Sequence, residues 1–343
     1  MRALVYDAKG NINVLDWPDP QLEEDQALVK VKYAGICGSD LVAWNGALKR
    51  IVNPVVLGHE MVGDVVALGS EKDKQKFTVG QRVVVEPLIS CGDCELCKTG
   101  NYHVCESLKV IGYDADGGMA QYISVPVKRL HIIPDHLTYE KAALCEPIAV
   151  AIHMSRRTGL KLGDKAAIIG AGPIGLALAL VCKEAGASKI VLSERNKYRI
   201  NLVREMGFEV INASENTESQ IVGEIVNVLN GKADITFECA ATVESLSVAL
   251  QVTKIRGIIL QGGVFKTNPT YDAQSITLKE QMIVGSRVYN YSDFESSIDL
   301  MTRHDMQLEK MITKIISIED AVEQGFKEIK QGKRVMKILI APN

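Results

Sequence analysis

His59 and Glu60 close the apolar run Pro54-Val55-Val56-Leu57-Gly58, and Cys37 stands earlier in Gly35-Ile36-Cys37-Gly38-Ser39-Asp40. Thiolate, imidazole and carboxylate are donors that hold zinc while leaving one coordination position for water or a substrate oxygen. A polar pair ending an apolar run needs a partner, because an unsatisfied group in a low-dielectric interior is costly. Glu146 lies in equally apolar surroundings, between Ala142-Ala143-Leu144 and Pro147-Ile148-Ala149. Either Glu60 or Glu146 therefore completes the set begun by Cys37 and His59. The glycines flanking Cys37 fit a tight turn that aims a thiolate into a cleft.

A second cluster, Cys91, Cys94, Cys97 and Cys105, occupies a short turn-rich segment. Four thiolates around one zinc make a closed tetrahedral site, which orders a lobe and does no chemistry. His103 lies in the same segment, but Cys105 completes an all-sulfur set. Such a lobe has little apolar content, so the metal supplies much of its folding energy. The remaining cysteines, Cys37, Cys145, Cys182 and Cys239, are dispersed.

The third signal is Gly170-Ala171-Gly172-Pro173-Ile174-Gly175 after the apolar strand Lys165 to Ile169. Gly170 makes the tight turn, Gly172 lets the backbone approach a pyrophosphate, and Gly175 lets helix and strand pack closely. Pro173 and Ile174 lie in this turn, and a helix-like run from Leu176 to Ala185 follows it, whose free N–H groups and dipole favour the phosphates. Glu194, ending the next strand, accepts hydrogen bonds from the ribose hydroxyls and repels a ribose phosphate, which favours NAD over NADP. Arg195 and Arg199 oppose that preference by offering guanidinium groups to adenine or to a phosphate.

The elements that must position these groups differ between the two halves. Residues 1 to 36 alternate in short spans broken by Pro18 and Pro20. Further strands around Val62 to Ala67, Arg82 to Val85 and Tyr122 to Val125 suggest a bent or barrel-like sheet. From Lys165 to Ser286 strands and helices alternate in the βαβ rhythm of a parallel sheet, making the fold class α/β. A helix over Ile318 to Ile329 and a strand over Val335 to Ile340 leave that rhythm and are expected to pack on the first half. The domains expected are residues 1–150, 151–286 and 287–343, the last returning to the first.

The 343 residues, 47% apolar, suffice for two cores. A net charge of −3 lacks the basic footprint of a nucleic-acid partner. No apolar run is long enough for a membrane helix, and no export signal opens the chain, so a cytoplasmic address is expected.

Taken together, these elements, in this order, resemble the zinc-containing medium-chain alcohol dehydrogenases. Cys-Gly-Ser-Asp, Gly-His-Glu and Cys-Glu-Pro-Ile are similar to the polyol and diol branch, which includes sorbitol, xylitol, 2,3-butanediol and threonine dehydrogenases. The resemblance implies a GroES-like bent β-barrel catalytic domain built from both chain ends, bracketing a Rossmann domain, and a homodimer or homotetramer. It also implies two zinc ions per chain, NAD, and an alcohol or ketone as substrate. Catalytic zinc would be held by Cys37, His59 and Glu60, with Glu146 alternately binding metal or water, and Ser39 would take part in removing the alcohol proton. Val42 stands where many relatives carry a histidine on the proton exit path, so water or the cofactor ribose would serve instead. Rival readings are an NADP-linked reductase and a non-catalytic NAD-binding regulatory protein of the same fold.

Overall fold

The computed structural model describes every residue except Lys333. It divides into two compact units, Met1–Glu146 with Asn290–Asn343, and Pro147–Tyr289.

The first unit is built on a seven-stranded sheet whose central strand is Gln26–Gly35. Ala27, Val29 and Val31 are buried at alternate positions, the period-two pattern of a half-buried strand. Glu60–Leu68 pairs antiparallel with it through two register shifts, irregularities of the kind that bend a sheet. Arg82–Val85 and Leu130–Ile132 extend the sheet on that side. On the other side the last strand of the chain, Lys337–Ala341, pairs antiparallel with Gln26–Gly35, placing Leu339 opposite Gly35. Ile312–Ser317 then adds in parallel. A small sheet, Ile12–Asp16, Arg2–Tyr6 and Val55–Val56, leads the chain into His59.

Two local expectations are corrected. Cys37 does not sit in a tight glycine turn: it caps the helix Gly38–Trp44, and neither Gly35 nor Gly38 has positive φ. The continuous helix read over Ile318 to Ile329 is a wide π-helical turn, Ala321–Phe326, followed by the short helix Lys327–Lys330. Gly325 lies in that turn, where a Cβ would come within 2.7 Å of Ile36 Cδ1.

The second unit is a six-stranded parallel sheet in the order Glu209–Asn212, Lys189–Glu194, Lys165–Ile169, Ala233–Glu238, Thr253–Gln261, Met282–Gly285. This is the doubly wound order, reversing between Lys165–Ile169 and Ala233–Glu238, where such sheets bind ligands at their carboxyl ends. Helix Glu218–Leu229 buries Ile221, Ile225 and Leu229, and Val243–Val252 buries Leu246, Ala249 and Val252, in one apolar cluster with Val191 and Ile259. Among the described residues no helix is long and apolar enough to cross a membrane.

Candidate active site

In the first unit one donor atom from each of Cys37, His59 and Glu60 lies within 4.8 Å of the others. Cys37 follows the strand Gln26–Gly35, and Glu60 begins Glu60–Leu68, so adjacent strands bring the three together. Asp40 is fully buried and accepts the Cys37 backbone N–H at 2.8 Å. Its other oxygen stands 3.5 Å from His59 Nδ1, close enough for its charge to act on the ring. Burial alone would lower the His59 pKa, but the charges of Asp40 and Cys37 outweigh it and hold the ring well above its usual value.

Glu60 does not stand alone. Lys337 Nζ donates to both of its carboxylate oxygens at 2.7 Å, and the pair is 1% and 2% exposed. Gly35, on the strand between them, leaves the space for this meeting: a Cβ there would lie 2.1 Å from Glu60 Oε2. Ser39 Oγ donates to Cys37 Sγ at 3.1 Å and accepts from Tyr113 Oη at 2.7 Å. Tyr113 also packs on His59, with ring centroids 5.1 Å apart. Burial, then Asp40 and Cys37, push its phenol well above the usual pKa, so it remains a donor. Glu146 is 8% exposed in the first turn of the helix Cys145–Thr158, and its charge acts on both Tyr113 and Lys337. The close cluster contains Glu60 and not Glu146. A half-buried thiol, a buried imidazole and excess carboxylates suit a divalent cation such as zinc.

The sulfurs of Cys91, Cys94, Cys97 and Cys105 lie 3.4 to 3.9 Å apart for the four closest pairs. Zn–S bonds in a tetrahedral site imply S···S separations of about 3.8 Å, so the lobe has the size of one zinc. Backbone hydrogen bonding at Cys91, then the Ser107 hydroxyl, lowers the Cys105 pKa to about 6, which supplies a thiolate at neutral pH. The lobe is keyed to the sheet by Tyr102, whose hydroxyl donates to the buried Glu86 at 2.6 Å. Glu86 is also paired with Arg129 at 2.8 Å. His103 is buried and is not in the four-sulfur cluster.

In the second unit Gly172 caps the helix Pro173–Glu184, with Pro173 and Ile174 in its first turn. A Cβ on Gly175 would stand 1.9 Å from the Gly170 carbonyl oxygen, so this helix packs on the turn only without one. Glu194 Oε2 accepts the Ala171 N–H at 3.1 Å, while Oε1 accepts those of Arg195 and Asn196 at 2.7 and 2.9 Å. Arg199 Nη1 lies 3.8 Å from Glu194 and reaches over Gly172. Gly170, Gly172, Glu194, Arg195 and Arg199 line a cavity of about 410 Å³, a volume suited to an organic ligand.

Sequence reading missed Lys337, Asp40, Tyr113 and the purpose of Gly35. A signal for Lys337 was present. It is a lone ammonium within Val335-Met336-Lys337-Ile338-Leu339 and needs a buried partner by the same argument that singled out Glu60.

Residues 23–135 match the alcohol dehydrogenase GroES-like domain, and residues 173–303 match zinc-binding dehydrogenase. The chain is 34% identical over 334 residues to D-arabitol-phosphate dehydrogenase of Enterococcus avium, covering 96% of this chain and 93% of the relative. It is 33% identical to (R,R)-butanediol dehydrogenase of Bacillus subtilis over the full length of both. The crystal structure of 2R,3R-butanediol dehydrogenase from Bacillus subtilis matches with a TM-score of 0.91 at 32% identity, covering 100% of this chain and 99% of that one. The chain belongs to the zinc-type medium-chain dehydrogenase/reductase family, oxidoreductases that join a GroES-like domain to an NAD-binding Rossmann domain.

Proposed function

We propose that the chain reversibly oxidises a secondary alcohol of a polyol, small diol or amino alcohol to the ketone, passing the hydride to NAD. The observation that carries this reading is the convergence of Cys37, His59 and Glu60 donor atoms within 4.8 Å, with the Ser39 hydroxyl on the Cys37 sulfur. Cys37 and His59 would hold zinc with a carboxylate from Glu60 or Glu146, and Cys91, Cys94, Cys97 and Cys105 would hold a second zinc. Bound metal supplies Lewis-acid polarisation of a substrate oxygen, and NAD supplies the hydride acceptor.

The chain's own groups orient and move the proton. Asp40 sets its charge beside the His59 ring, and Tyr113, kept protonated, fixes the Ser39 hydroxyl by donating to it. Ser39 Oγ is then the group that exchanges a proton with the substrate hydroxyl. Val42, 37% exposed on the helix Gly38–Trp44, offers no imidazole for onward transfer, so water or the cofactor ribose takes it. Glu194 would accept from the ribose hydroxyls and select NAD. The polyol, diol and sugar names of the relatives support the alcohol class.

We further infer a cytoplasmic homo-oligomer. Reduced thiols in the four-cysteine lobe suit a reducing compartment. The edge strand Met282–Gly285, with Met282 52% exposed, offers backbone to a second copy. The test is a panel of polyols, vicinal diols, amino alcohols and simple secondary alcohols, with NAD and NADP, in both directions. Turnover of a diol or polyol with NAD supports the reading. Cofactor binding without turnover across the panel would leave a nucleotide-binding protein.

A further inference from the structure

The sheet order of the second unit reverses between Lys165–Ile169 and Ala233–Glu238, and Glu238, the last residue of its strand, pairs with Ile169 at that point. It is a fully buried carboxylate, and such a group must find donors. Its Oε1 accepts the backbone N–H groups of Ala240 and Ala241 at 2.8 and 2.7 Å, and the Ser245 hydroxyl at 2.7 Å. Its backbone carbonyl accepts the N–H groups of Gly262 and Gly263, both at 2.9 Å. One residue thus ties the carboxyl ends of two strands to the start of the helix Val243–Val252. Oε2 has no hydrogen-bond partner among the described residues and lies against Gly263, where a Cβ would come within 2.6 Å of it.

The turn that this carboxylate holds is an unfavourable one. Ala241 has a φ of 57°, in the left-handed region where the Cβ of an alanine is crowded. A residue persists there only when its surroundings over-determine it. Glu238 binds its N–H on one side, and on the other a Cβ on Gly263 would stand 2.9 Å from its nitrogen. The same turn walls the cofactor cavity, since Cys239, Ala240, Thr242 and Ser245 line it together with Gly170 and Gly172. A Cβ on Gly170 would lie 3.2 Å from both the Cβ and the nitrogen of Ala240, so a small movement of the turn changes the width of the crevice at the glycine turn.

Resting on the dinucleotide-dependent reading above, we propose that Glu238 is a positioning residue for the cofactor: it holds Ala241 in the left-handed conformation and so sets the wall that Cys239, Ala240 and Thr242 present to the dinucleotide.

The test titrates the full chain with NADH and reads the dissociation constant beside the thermal midpoint. Glu238→Gln keeps the shape and one acceptor oxygen but gives up the charge, and should weaken NADH by about 10-fold, the worth of one charged hydrogen bond. Ala241→Gly should stay within about 2-fold of the parent, because glycine adopts positive φ without strain. Ala241→Gly/Glu238→Gln should recover most of the loss, to within about 3-fold of the parent, since glycine needs no carboxylate to hold it there. A role in stability alone would lower the midpoint of Glu238→Gln and leave NADH affinity unchanged, which overturns the assignment. A double variant that binds no better than Glu238→Gln overturns it too. If Glu238→Gln does not fold, the double variant decides: near-parental affinity supports the assignment, and weak binding or failure to fold overturns it. A parent that binds neither NADH nor NADPH would remove the cofactor reading itself, and this assignment with it.

Discussion

Gly35 faces Glu60 across adjacent antiparallel strands, and its missing Cβ is what gives the Glu60 carboxylate room to reach Lys337. Gly35→Ala forces 2.1 Å between the new methyl and Glu60 Oε2, in a region with no solvent to receive the displaced charge. Overpacking and partial unpairing of a buried ion pair together predict a loss of about 3 kcal/mol in stability. The denaturant midpoint and zinc content should both fall. An unchanged midpoint would mean that the sheet yields without cost and that the glycine is incidental.

Cys94 contacts two of the other lobe sulfurs, Cys97 at 3.4 Å and Cys105 at 3.9 Å. Cys94→Ser should reduce bound zinc from two ions to one and open the Cys91–Cys105 segment to protease, while NAD binding persists. Because thiolates must be free of protons to bind metal, zinc should leave this lobe as pH falls. Two zinc ions surviving in Cys94→Ser would remove the structural-site assignment.

What was legible in the sequence was local. The four cysteines and the glycine turn declare themselves because ligand spacing and backbone approach are set within a few residues. The parallel sheet was equally readable, since alternating strands and helices admit few topologies. Glu60 and Lys337 are 277 residues apart, and nothing in either segment says which strands lie side by side. Asp40 and Tyr113 stayed hidden for the same reason, being 73 residues apart. Gly35 was read as a turn residue because glycine signals both backbone freedom and clearance, and only the strand pairing separates the two.

Asp234 ties the start of its strand to the Lys165 N–H at 2.7 Å and pairs with the half-exposed Lys254. Partial burial raises its pKa, but hydrogen bonds from Lys254 and Lys165 prevail and hold it below the ordinary carboxylate value. A depressed folded pKa contributes stability above the unfolded value, and that contribution is lost as pH falls through the folded one. Asp234→Asn should therefore cost up to about 1 kcal/mol at pH 7, and the difference from the parent should vanish in strong acid. An equal difference at both pH values would show a packing effect instead.

Met282, half exposed on the edge strand of the parallel sheet, is the natural place to block strand addition by a second copy. Met282→Lys should lower the apparent mass in sedimentation at micromolar protein while leaving the monomer folded. A parent that already sediments as a monomer, or a variant that keeps the parental mass, would exclude this edge as the contact.

Glu194 does two things at once, and they can be separated. Its oxygens accept the N–H groups of Ala171, Arg195 and Asn196, so the carboxylate shapes the turn as well as facing the cavity. Glu194→Gln keeps one oxygen for the turn but removes the charge that would oppose a ribose phosphate. With Arg199 only 3.8 Å away and Arg195 lining the same cavity, the neutral side chain leaves a net positive edge. A charged hydrogen bond is worth about 1.5–3 kcal/mol, so the ratio of kcat/KM for NAD to that for NADP should fall by about 10-fold or more. The loss should appear mainly in the KM for NAD, and the thermal midpoint should fall modestly as one set of turn N–H groups loses its acceptor. An unchanged cofactor ratio would assign Glu194 to the turn alone and leave cofactor choice to Arg195 and Arg199.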